Sequence, residues 1–553
     1  MSLRLPSPSR SSTLALAFVG ACAGSGVEVS PKMPMVGNSG KTMLLSSVVR
    51  DLTEPVSAKL LEEEPSNEGR ESAKSGGVVE PAESVEVAPV PLAPRMTSIA
   101  PFTYIYERAA RQAPLGYLHV GASIALRRPD PLRRPGCTAG WYAVEPKGFI
   151  CNDNTTVRQS EHRQLTPGAT RLVRGLEVAA PARGPLPYGY ALSAGAPMYG
   201  RLPSESEQEQ NEWMYGPRAA PLGRWARGHD GLVDPYPPFA ESQVPWFVAN
   251  GDSAPVNVRG DDPKLIRKLA PRGSMISFGK AFEARGRTWL VTPDLSLVPA
   301  DRVHVYRPST FHGVELGESL SLPIAWIRKQ PRPRWKRGGE GKLVLTEQKW
   351  PTRTAVGLTG KRVSQDGREL LETTELGVYI DEDDATVVER RVSRPNMVGP
   401  DEKWIRVSIT RGTLTAYVGD NAVFATLVSP GRGGPPRGPF ISTRELSAKH
   451  NTPIGTFRVQ YKDRYTVMSP DPEQKKYFIS DVPYVQYFSG PFALHAAFWH
   501  EEFGEPKSGG CVNVSPDDAL RLFSWTDPPV PDAWQGARSG GSNGQGTVVE
   551  IVR

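Results

Sequence analysis

A serine and two glycines lead directly into a cysteine near the C-terminus, and this turn constrains the chain more than any other stretch. The cysteine is Cys511, and His495 precedes it by 16 positions. A cysteine becomes a catalyst when a base takes its proton and backbone donors await the oxyanion. Two glycines allow a tight turn, in which a substrate carbonyl can approach the N–H groups of Gly510 and Cys511. A buried cysteine in a glycine turn, with an incidental histidine, fits the spacing as well.

The residues from His495 to Asn513 resemble the catalytic motif of the L,D-transpeptidases, the YkuD-type cysteine transpeptidases of bacterial cell walls. That motif has an early histidine followed by Ser-His-Gly-Cys. The resemblance implies that His495 is the general base and that Cys511 is the nucleophile. Because a nucleophilic cysteine acts as the thiolate, Cys511 is expected to be a free thiol. Ser508, Gly510 and Asn513 match conserved residues of the motif, which surround the oxyanion.

One position departs from the family pattern. Gly509 stands where the family has its second histidine. The glycine removes a side chain that could orient the thiol or bind the intermediate, so we expect reduced or altered activity rather than none. Trp499 matches an aromatic residue of the same subgroup, and Trp499 and Tyr487 are the candidate substrate-binding side chains.

The resemblance covers residues 403–553 and implies a β-sandwich with a short helix. The helix is expected at 517–525, with Ser515 as its cap and Pro516 in its first turn. Because this helix begins just after Cys511, its dipole favours a thiolate. The strands expected in this domain are 404–410, 413–418, 422–428, 455–459, 484–488, 492–496 and 547–552.

The resemblance also implies the reaction, with no cofactor and no metal. Cys511 would attack the tetrapeptide stem of peptidoglycan, at the bond between the L-centre of the third residue's diamino acid and the terminal D-alanine. Loss of that alanine would leave a thioester, which an amine acceptor then captures. The product would be a 3→3 crosslink, a protein attached to the wall or an exchanged D-amino acid, and the sequence does not choose among them.

Two other classes of function stay open. The first is a catalytically weak or inactive wall-binding or structural lipoprotein, for which Gly509 is the only support. The second is a zinc site built from His495, His500 and Cys511, because thiol and imidazole ligands suit zinc. The sequence offers no obvious fourth ligand and no paired Cys-x-x-Cys for such a site.

The N-terminus predicts export and a membrane anchor. Residues 1–22 read as a signal peptide of the lipoprotein type, in which Cys22 is lipidated. An ordinary signal peptide cut after Ala21 or Ala23, or an unprocessed start, is the alternative. Residues 23–100 contain no aromatic residue and are rich in acidic residues and proline, so we expect a disordered tether. These features predict a periplasmic protein tethered to the outer membrane.

Proline and glycine number 54 each, and this excess predicts many turns and a mainly β fold with little helix. The net charge of +7 is spread along the chain, so nucleic acid is not an expected partner. Residues 101–175 resemble small bacterial β-barrels of the Src-homology type. In that segment Cys137 and Cys151 flank a predicted hairpin, which in an exported protein favours a disulfide over a metal site.

The segment 176–270 shows no pattern that can be assigned, whereas 271–400 contains an internal repeat. Residues 286–297 align without gaps to 367–378, with the shared pattern Gly-Arg-x-x-Leu-x-Thr-x-acidic-Leu-x-aliphatic. Apolar residues alternate in each copy, which predicts a hairpin of a small β-module, although chance similarity remains the alternative. Between the copies, 328–337 is strongly basic and is expected to be a solvated loop, with contact to an anionic wall polymer as the alternative. Residues 401–553 form the expected catalytic domain.

Overall fold

The computed structural model describes most of the chain beyond residue 93. Within the described residues the fold is mainly β with three short α-helices, which confirms the predicted fold class. None of these helices is long and apolar enough to cross a lipid bilayer. Cys22, the predicted signal peptide and almost all of the predicted tether lie outside the described residues. The structure describes residues 94–98, 102–119, 122–153, 156–159, 185–213, 265–294, 296–306, 309–339, 341–390, 393–438, 441–469 and 477–553.

Seven short strands form the first β-rich module. A disulfide joins Cys137 to Cys151, with an S–S distance of 2.07 Å. Ile105 and Leu118 of this module share one hydrophobic core with Trp534, which comes from the far end of the chain. The strands are β1 (Arg95–Ser98), β2 (Phe102–Tyr106), β3 (Pro114–His119), β4 (Ser123–Ala125), β5 (Trp141–Ala143), β6 (Phe149–Cys151) and β7 (Thr156–Gln159).

The second module begins in the segment for which the sequence predicts no pattern. Its helix α1 (Glu205–Glu212) starts with a capping box, in which Ser204 and Glu207 satisfy each other's backbone N–H groups. The 3-10 turn Ala300–Arg302 precedes its last strand. The strands are β8 (Gly189–Ser193), β9 (Ala196–Tyr199), β10 (Ile266–Ala270), β11 (Met275–Phe278), β12 (Lys280–Ala284), β13 (Arg287–Val291), β14 (Leu297–Pro299) and β15 (Val303–Val305).

The third module contains the basic stretch, and the prediction of a solvated loop there is wrong. Arg332–Arg337 forms a strand between two others, and Trp335 is buried against Leu370 and Tyr379. The arginines of this strand form ion pairs, such as the one between Arg334 and Glu375 at 3.0 Å. The strands are β16 (Val314–Glu315), β17 (Ile324–Trp326), β18 (Arg332–Arg337), β19 (Leu343–Trp350), β20 (Ala355–Gln365), β21 (Arg368–Thr373), β22 (Val378–Asp381) and β23 (Thr386–Val388).

The internal repeat folds as predicted, with a hairpin in each copy. We call residues 286–305 the first copy and residues 367–388 the second copy. β13 pairs antiparallel with β14, and β21 pairs antiparallel with β22. Each copy starts at a glycine with positive φ, and each has a 3-10 turn before its last strand, the one in the second copy being Glu382–Asp384. The shared sequence pattern therefore specifies a shared chain path.

The C-terminal domain contains all seven expected strands, and β25 and β30 have the expected bounds. It also contains helix α2 (Thr443–Ala448), three further strands and the 3-10 turn Gly541–Asn543, none of which the sequence predicts. The strands are β24 (Lys403–Ser408), β25 (Thr413–Val418), β26 (Asn421–Leu427), β27 (Gly455–Arg458), β28 (Tyr461–Met468), β29 (Ile479–Ser489), β30 (Phe492–Ala496), β31 (Val512–Val514), β32 (Gly536–Arg538) and β33 (Val548–Val552).

Two sheets and a helix enclose the core of this domain. One sheet has the order β16-β26-β25-β24-β33-β27, and the other contains β28, β29, β30 and β31. Ile405 and Val549 of the first sheet pack with Leu494 and Val512 of the second. Helix α3 (Pro516–Trp525) covers one end, and the Ser515 side chain caps it by accepting from the Asp518 N–H, as predicted.

The second of these sheets continues beyond the C-terminal domain. β32 lies between β28 and β3 of the first module, while β11 of the second module pairs with β29. At the β3–β32 contact, a Cβ added to Gly116 would lie 2.2 Å from the carbonyl oxygen of Gly536, so only glycine fits. One sheet thus runs through three parts of the described chain.

Candidate active site

The predicted base lies on β30, and the predicted nucleophile directly precedes the neighbouring parallel strand β31. In the register of β30 and β31, Leu494 lies opposite Val512 and His495 lies opposite Asn513. Because side chains alternate along a strand, His495, Asn513 and Cys511 lie on one face of the sheet. Leu494 and Val512 point the other way, into the core. The 16-residue separation in sequence is thus closed by strand pairing.

The Cys511 sulfur is buried behind the turn that leads into β31. The residue is 0% exposed, and the Ala493 N–H lies 3.4 Å from Sγ, where it can donate to a thiolate. The expectation of a free thiol is wrong for the state that the structure shows. Cys511 is disulfide-bonded, its partner is not among the described residues, and no described cysteine is a free thiol. Since a disulfide sulfur has no proton to lose, nucleophilic chemistry requires the reduced form.

His495 is held in one tautomer. Its Nδ1 lies 2.9 Å from the carbonyl oxygen of Ala496, and a carbonyl can only accept, so Nδ1 carries the proton. Nε2 then keeps its lone pair and is the basic atom of the ring. Burial lowers the pKa of His495 to about 4, so the imidazole is neutral at pH 7. The ring centroid of Trp499 lies 5.9 Å away.

Ser508 closes the turn around the nucleophile. Its hydroxyl donates to the carbonyl oxygen of Cys511, and its Oγ accepts from the Gly510 N–H at 3.1 Å. The Gly510 N–H, which the sequence assigns to the oxyanion, is therefore engaged within the turn. Gly510 has φ 131°, and an added Cβ would lie 2.7 Å from the Phe492 ring, so this position requires glycine. Gly509 is not among the described residues with positive φ.

A loop after β26 holds the other side of the turn. The Pro430 carbonyl accepts from the N–H groups of Lys507 and Ser508, at 2.9 and 3.1 Å. The Arg432 N–H donates to the Ser508 carbonyl at 3.0 Å. A pair of backbone hydrogen bonds, 2.8 and 2.9 Å long, joins Ser429 to Asn513. The nucleophile turn is therefore fixed by backbone contacts from a segment about 80 positions earlier.

Asn513 is held by a second histidine. The Glu502 N–H donates to Nδ1 of His500 at 3.2 Å, so the neutral ring carries its proton on Nε2. That nitrogen lies 3.0 Å from the position assigned to Nδ2 of Asn513. Two donors cannot bond to each other, so the amide oxygen of Asn513 belongs in that position. Burial, together with the positive charges of Lys507 and protonated His495, lowers the pKa of His500 to about 4.

The residues of this site lie within a segment that matches a known protein family. Residues 402–551 match the family model of the L,D-transpeptidase catalytic domain, YkuD. The C-terminal domain is a member of the L,D-transpeptidase family. The matched residues include β24 to β32 and β33 up to Ile551, and the modules upstream of the transpeptidase domain are β-rich.

Several solved L,D-transpeptidase structures are similar to the chain. One from Xylanimonas cellulosilytica has 22% identity, over 29% of this chain and 64% of that one, with a TM-score of 0.19. L,D-transpeptidase 3 from Mycobacterium tuberculosis has 16% identity, over 40% and 79%, with a TM-score of 0.20. An L,D-transpeptidase in complex with imipenem has 18% identity, over 45% and 89%, with a TM-score of 0.19. The chain thus spans less than two thirds of the first of these. No protein of curated function matches the chain.

The two candidate substrate-binding residues have different places in the transpeptidase domain. Trp499 lies beside the His495 ring. Tyr487 lies on β29, opposite Ala493 of β30. Since Cys511 leads into β31, on the other side of β30, Tyr487 is two strands, or about 10 Å, away from it. Its ring packs 6.2 Å from that of Tyr461, and burial raises its pKa. Only Trp499 is in ring contact with a predicted catalytic residue.

Two histidines of the transpeptidase domain have site contacts that the sequence does not predict. His500 binds Asn513, and His450 lies against Gly509 from the loop before β27. His450 is 59 positions before Gly509 and directly precedes the Asn-Thr-Pro-Ile-Gly stretch, so nothing local indicates its contact. Among the described residues there is no group of three His, Cys, Asp or Glu side chains placed to hold a metal ion.

Proposed function

We propose that the protein is a peptidoglycan L,D-transpeptidase in which reduced Cys511 is the nucleophile and His495 the general base. The observation that carries this proposal is the parallel register of β30 and β31, which places both residues on one face. The tautomer of His495 leaves Nε2 as the proton acceptor. The family match to residues 402–551 indicates the stem peptides of peptidoglycan as substrate.

The reaction begins with transfer of the Cys511 proton to Nε2 of His495. The thiolate attacks the carbonyl carbon of the third stem residue, and a tetrahedral oxyanion forms. When this intermediate collapses, the C–N bond breaks and the departing D-alanine amine takes the proton from the imidazolium. An acceptor amine then attacks the thioester and gives its proton back through His495. The new amide leaves, and the thiol is restored.

The oxyanion would lie on backbone N–H groups of the turn from Gly509 to Cys511. The N–H of Gly510 can join this site only by leaving Ser508 Oγ, to which it donates. Ser508 would then retain its bond to the Cys511 carbonyl, which holds the turn while substrate is bound. Asn513, oriented by His500, borders the same face. Trp499 is the aromatic surface beside the base.

The place of action that we propose is the cell envelope, with a lipid anchor on Cys22, the periplasm as compartment and Cys511 in its reduced form. A lipidated Cys22 cannot take part in a disulfide, and the chain has four cysteines in all. The disulfide between Cys137 and Cys151 supports an oxidising compartment, because such bridges persist outside the cytosol. Changing Cys22 to Ala should move the protein from the membrane fraction to the soluble fraction. Unchanged fractionation would remove the anchor from the proposal.

Intact mass after incubation with imipenem tests the catalytic assignment. The protein is first treated with a thiol reductant, because Cys511 is disulfide-bonded in the structure. We expect one imipenem adduct on the reduced wild type and none on Cys511→Ala. His495→Ala should acylate about 10²- to 10⁴-fold more slowly, which is the usual contribution of base catalysis. The absence of an adduct on reduced wild-type protein would contradict the assignment.

A second candidate function is that of a wall-binding protein without activity. The glycine at position 509, where the family pattern has a histidine, favours it. In that case the reduced protein would sediment with isolated wall but would neither form an adduct nor turn over a tetrapeptide. The two measurements together separate the candidates.

A further inference from the structure

His450 approaches the nucleophile turn on a backbone that is fixed in place. Its φ is 55°, in the left-handed region. Its N–H donates to the Ser447 carbonyl at 3.1 Å, and its carbonyl accepts from the Gly433 N–H at 2.9 Å. The second contact ties it to the loop that also binds Ser508 through the Arg432 N–H. The imidazole is therefore held beside the turn by hydrogen bonds on both sides of its own backbone.

The arginine of the same loop fixes the tautomer of His450. Nη2 of Arg432 lies 2.6 Å from Nε2 of His450, and a guanidinium can only donate. Nε2 must therefore accept, which leaves Nδ1–H as the only donor of the neutral ring. Nδ1 is buried, and no described residue lies within close hydrogen-bonding distance of it. A buried donor of this kind gains free energy from any acceptor that comes within reach.

The Gly509 backbone is close enough to this imidazole to act on its pKa. Arg432 brings the two together, because its N–H binds the Ser508 carbonyl at 3.0 Å and its Nη2 contacts His450. Burial and the charge of Arg432 lower the pKa of His450, whereas the Gly509 backbone acts in the opposite direction. A backbone N–H would destabilise the protonated ring, so the group that favours it is the Gly509 carbonyl. Gly509 is also the position at which the family pattern has a histidine. An imidazole is thus present beside this position, although it comes from another part of the chain.

We propose that His450 is a positioning residue of the nucleophile turn, with its Nδ1–H directed at the Gly509 carbonyl. This inference rests on the proposed function of Cys511. The Gly509 carbonyl and the Gly510 N–H belong to one planar trans peptide, in which they point in opposite directions. A donor on the carbonyl therefore fixes the plane of this peptide, and with it the direction of the Gly510 N–H, which donates to Ser508 Oγ in the structure. Through this peptide His450 acts on the geometry of Cys511 without touching the substrate.

Three substitutions separate the donor from the backbone conformation. His450→Gly removes the imidazole and tolerates positive φ, and His450→Asn also tolerates it while placing an amide N–H near the position of Nδ1. His450→Gln reaches instead to the position of Nε2. With the reduced full-length protein, we expect the imipenem acylation rate to fall about tenfold in the Gly and Gln variants, as for one lost hydrogen bond. The Asn variant should stay within about twofold of wild type.

The NMR resonance of the Gly510 amide gives a second measurement, which does not depend on catalytic turnover. In protein labelled with ¹⁵N-glycine, its amide resonance should shift in His450→Gly and return toward the wild-type position in His450→Asn. An unshifted Gly510 resonance in the Gly variant would overturn the role of His450, whether or not the wild type acylates. Equal acylation rates in wild type and all three variants would overturn it too. Failure of the wild type alone to acylate would count against the assignment of Cys511 instead.

Discussion

The two repeat copies have the same chain path but place the same arginine in different surroundings. Arg287 of the first copy is 2% exposed and binds Asp301 within that copy, as well as Glu212 of α1 at 2.7 Å. Arg368 occupies the equivalent position in the second copy and binds Asp381, but its side chain is 55% exposed. The repeated pattern therefore determines the hairpin and the arginine–aspartate pair. Whether the arginine is buried depends on the element that packs over the copy, which is α1 in the first copy.

The covering helix changes what the ion pair does. In the first copy Arg287 also donates to Gln208 at 2.8 Å, and Arg302 binds the second oxygen of Glu212 at 3.1 Å. Charges removed from water in this way need all their partners, since the loss of one leaves the others buried and unpaired. A solvent-exposed arginine such as Arg368 can exchange its partner for water. We therefore expect equivalent substitutions to have unequal effects in the two copies.

The largest difference should follow from removing the arginine. Arg287→Ala leaves Glu212 and Asp301 buried without their main partner, and should lower the free energy of unfolding by about 3–5 kcal/mol. The matched control, Arg368→Ala, should cost less, because its guanidinium is largely solvated and the buried Asp381 keeps the Asp383 N–H as a donor. Urea denaturation of the purified protein measures both. Equal losses in the two variants would show that burial does not distinguish the copies.

Acidification should weaken the first copy through Glu212. Burial alone would raise the pKa of this carboxyl, but hydrogen bonds from Arg287 outweigh it, and the pKa lies below its usual 4.5. The folded state then binds fewer protons than the unfolded state near this pH, so stability is present above about pH 4.5 and falls as the pH drops through the folded pKa. Unfolding free energies measured from pH 7 to pH 3 should show this loss. The loss should be smaller in Glu212→Gln, and an unchanged pH dependence in that variant would assign it to other groups.

The smallest effect should be the same in both copies. Gly286 and Gly367 have φ of 66° and 76°, and an added Cβ would meet nothing within 4 Å at either position. Alanine at either site therefore costs only the left-handed backbone conformation, about 1 kcal/mol. Thermal unfolding of Gly286→Ala and Gly367→Ala should give matching shifts. Unequal shifts would mean that the two turns differ in ways beyond the shared chain path.

The sequence predicts the parts of the fold that local patterns control. The sequence predicts the bounds of β25 and β30, and the Ser515 cap marks the start of α3. The hairpins of both repeat copies follow from their shared pattern for the same reason. By contrast, β18 lies in a run of charged side chains, and its burial of Trp335 comes from partners elsewhere in the chain.

The candidate site is predicted less completely, because its geometry depends on distant residues. The motif identifies Cys511 and His495, and strand register explains why they share a face. The motif gives no indication of the disulfide-bonded state of Cys511, or that the Gly510 N–H binds Ser508. The motif also does not predict the role of His450, because the approach of His450 to Gly509 depends on the fold of the intervening residues. Long-range pairing, rather than local preference, decides these features.

The sheet that runs from β3 through β32, β28 and β29 to β11 has a consequence for any attempt to isolate the transpeptidase domain. A fragment that begins at residue 402 would retain the matched family region but lose the strands that cover β32 and β29. Their N–H and C=O groups would then lie open along two edges, where other molecules can add as further strands. Trp534, buried among residues of the first module, would also be exposed to solvent. Such a fragment is therefore expected to self-associate, and its solubility would improve if β3 and β11 were kept with it.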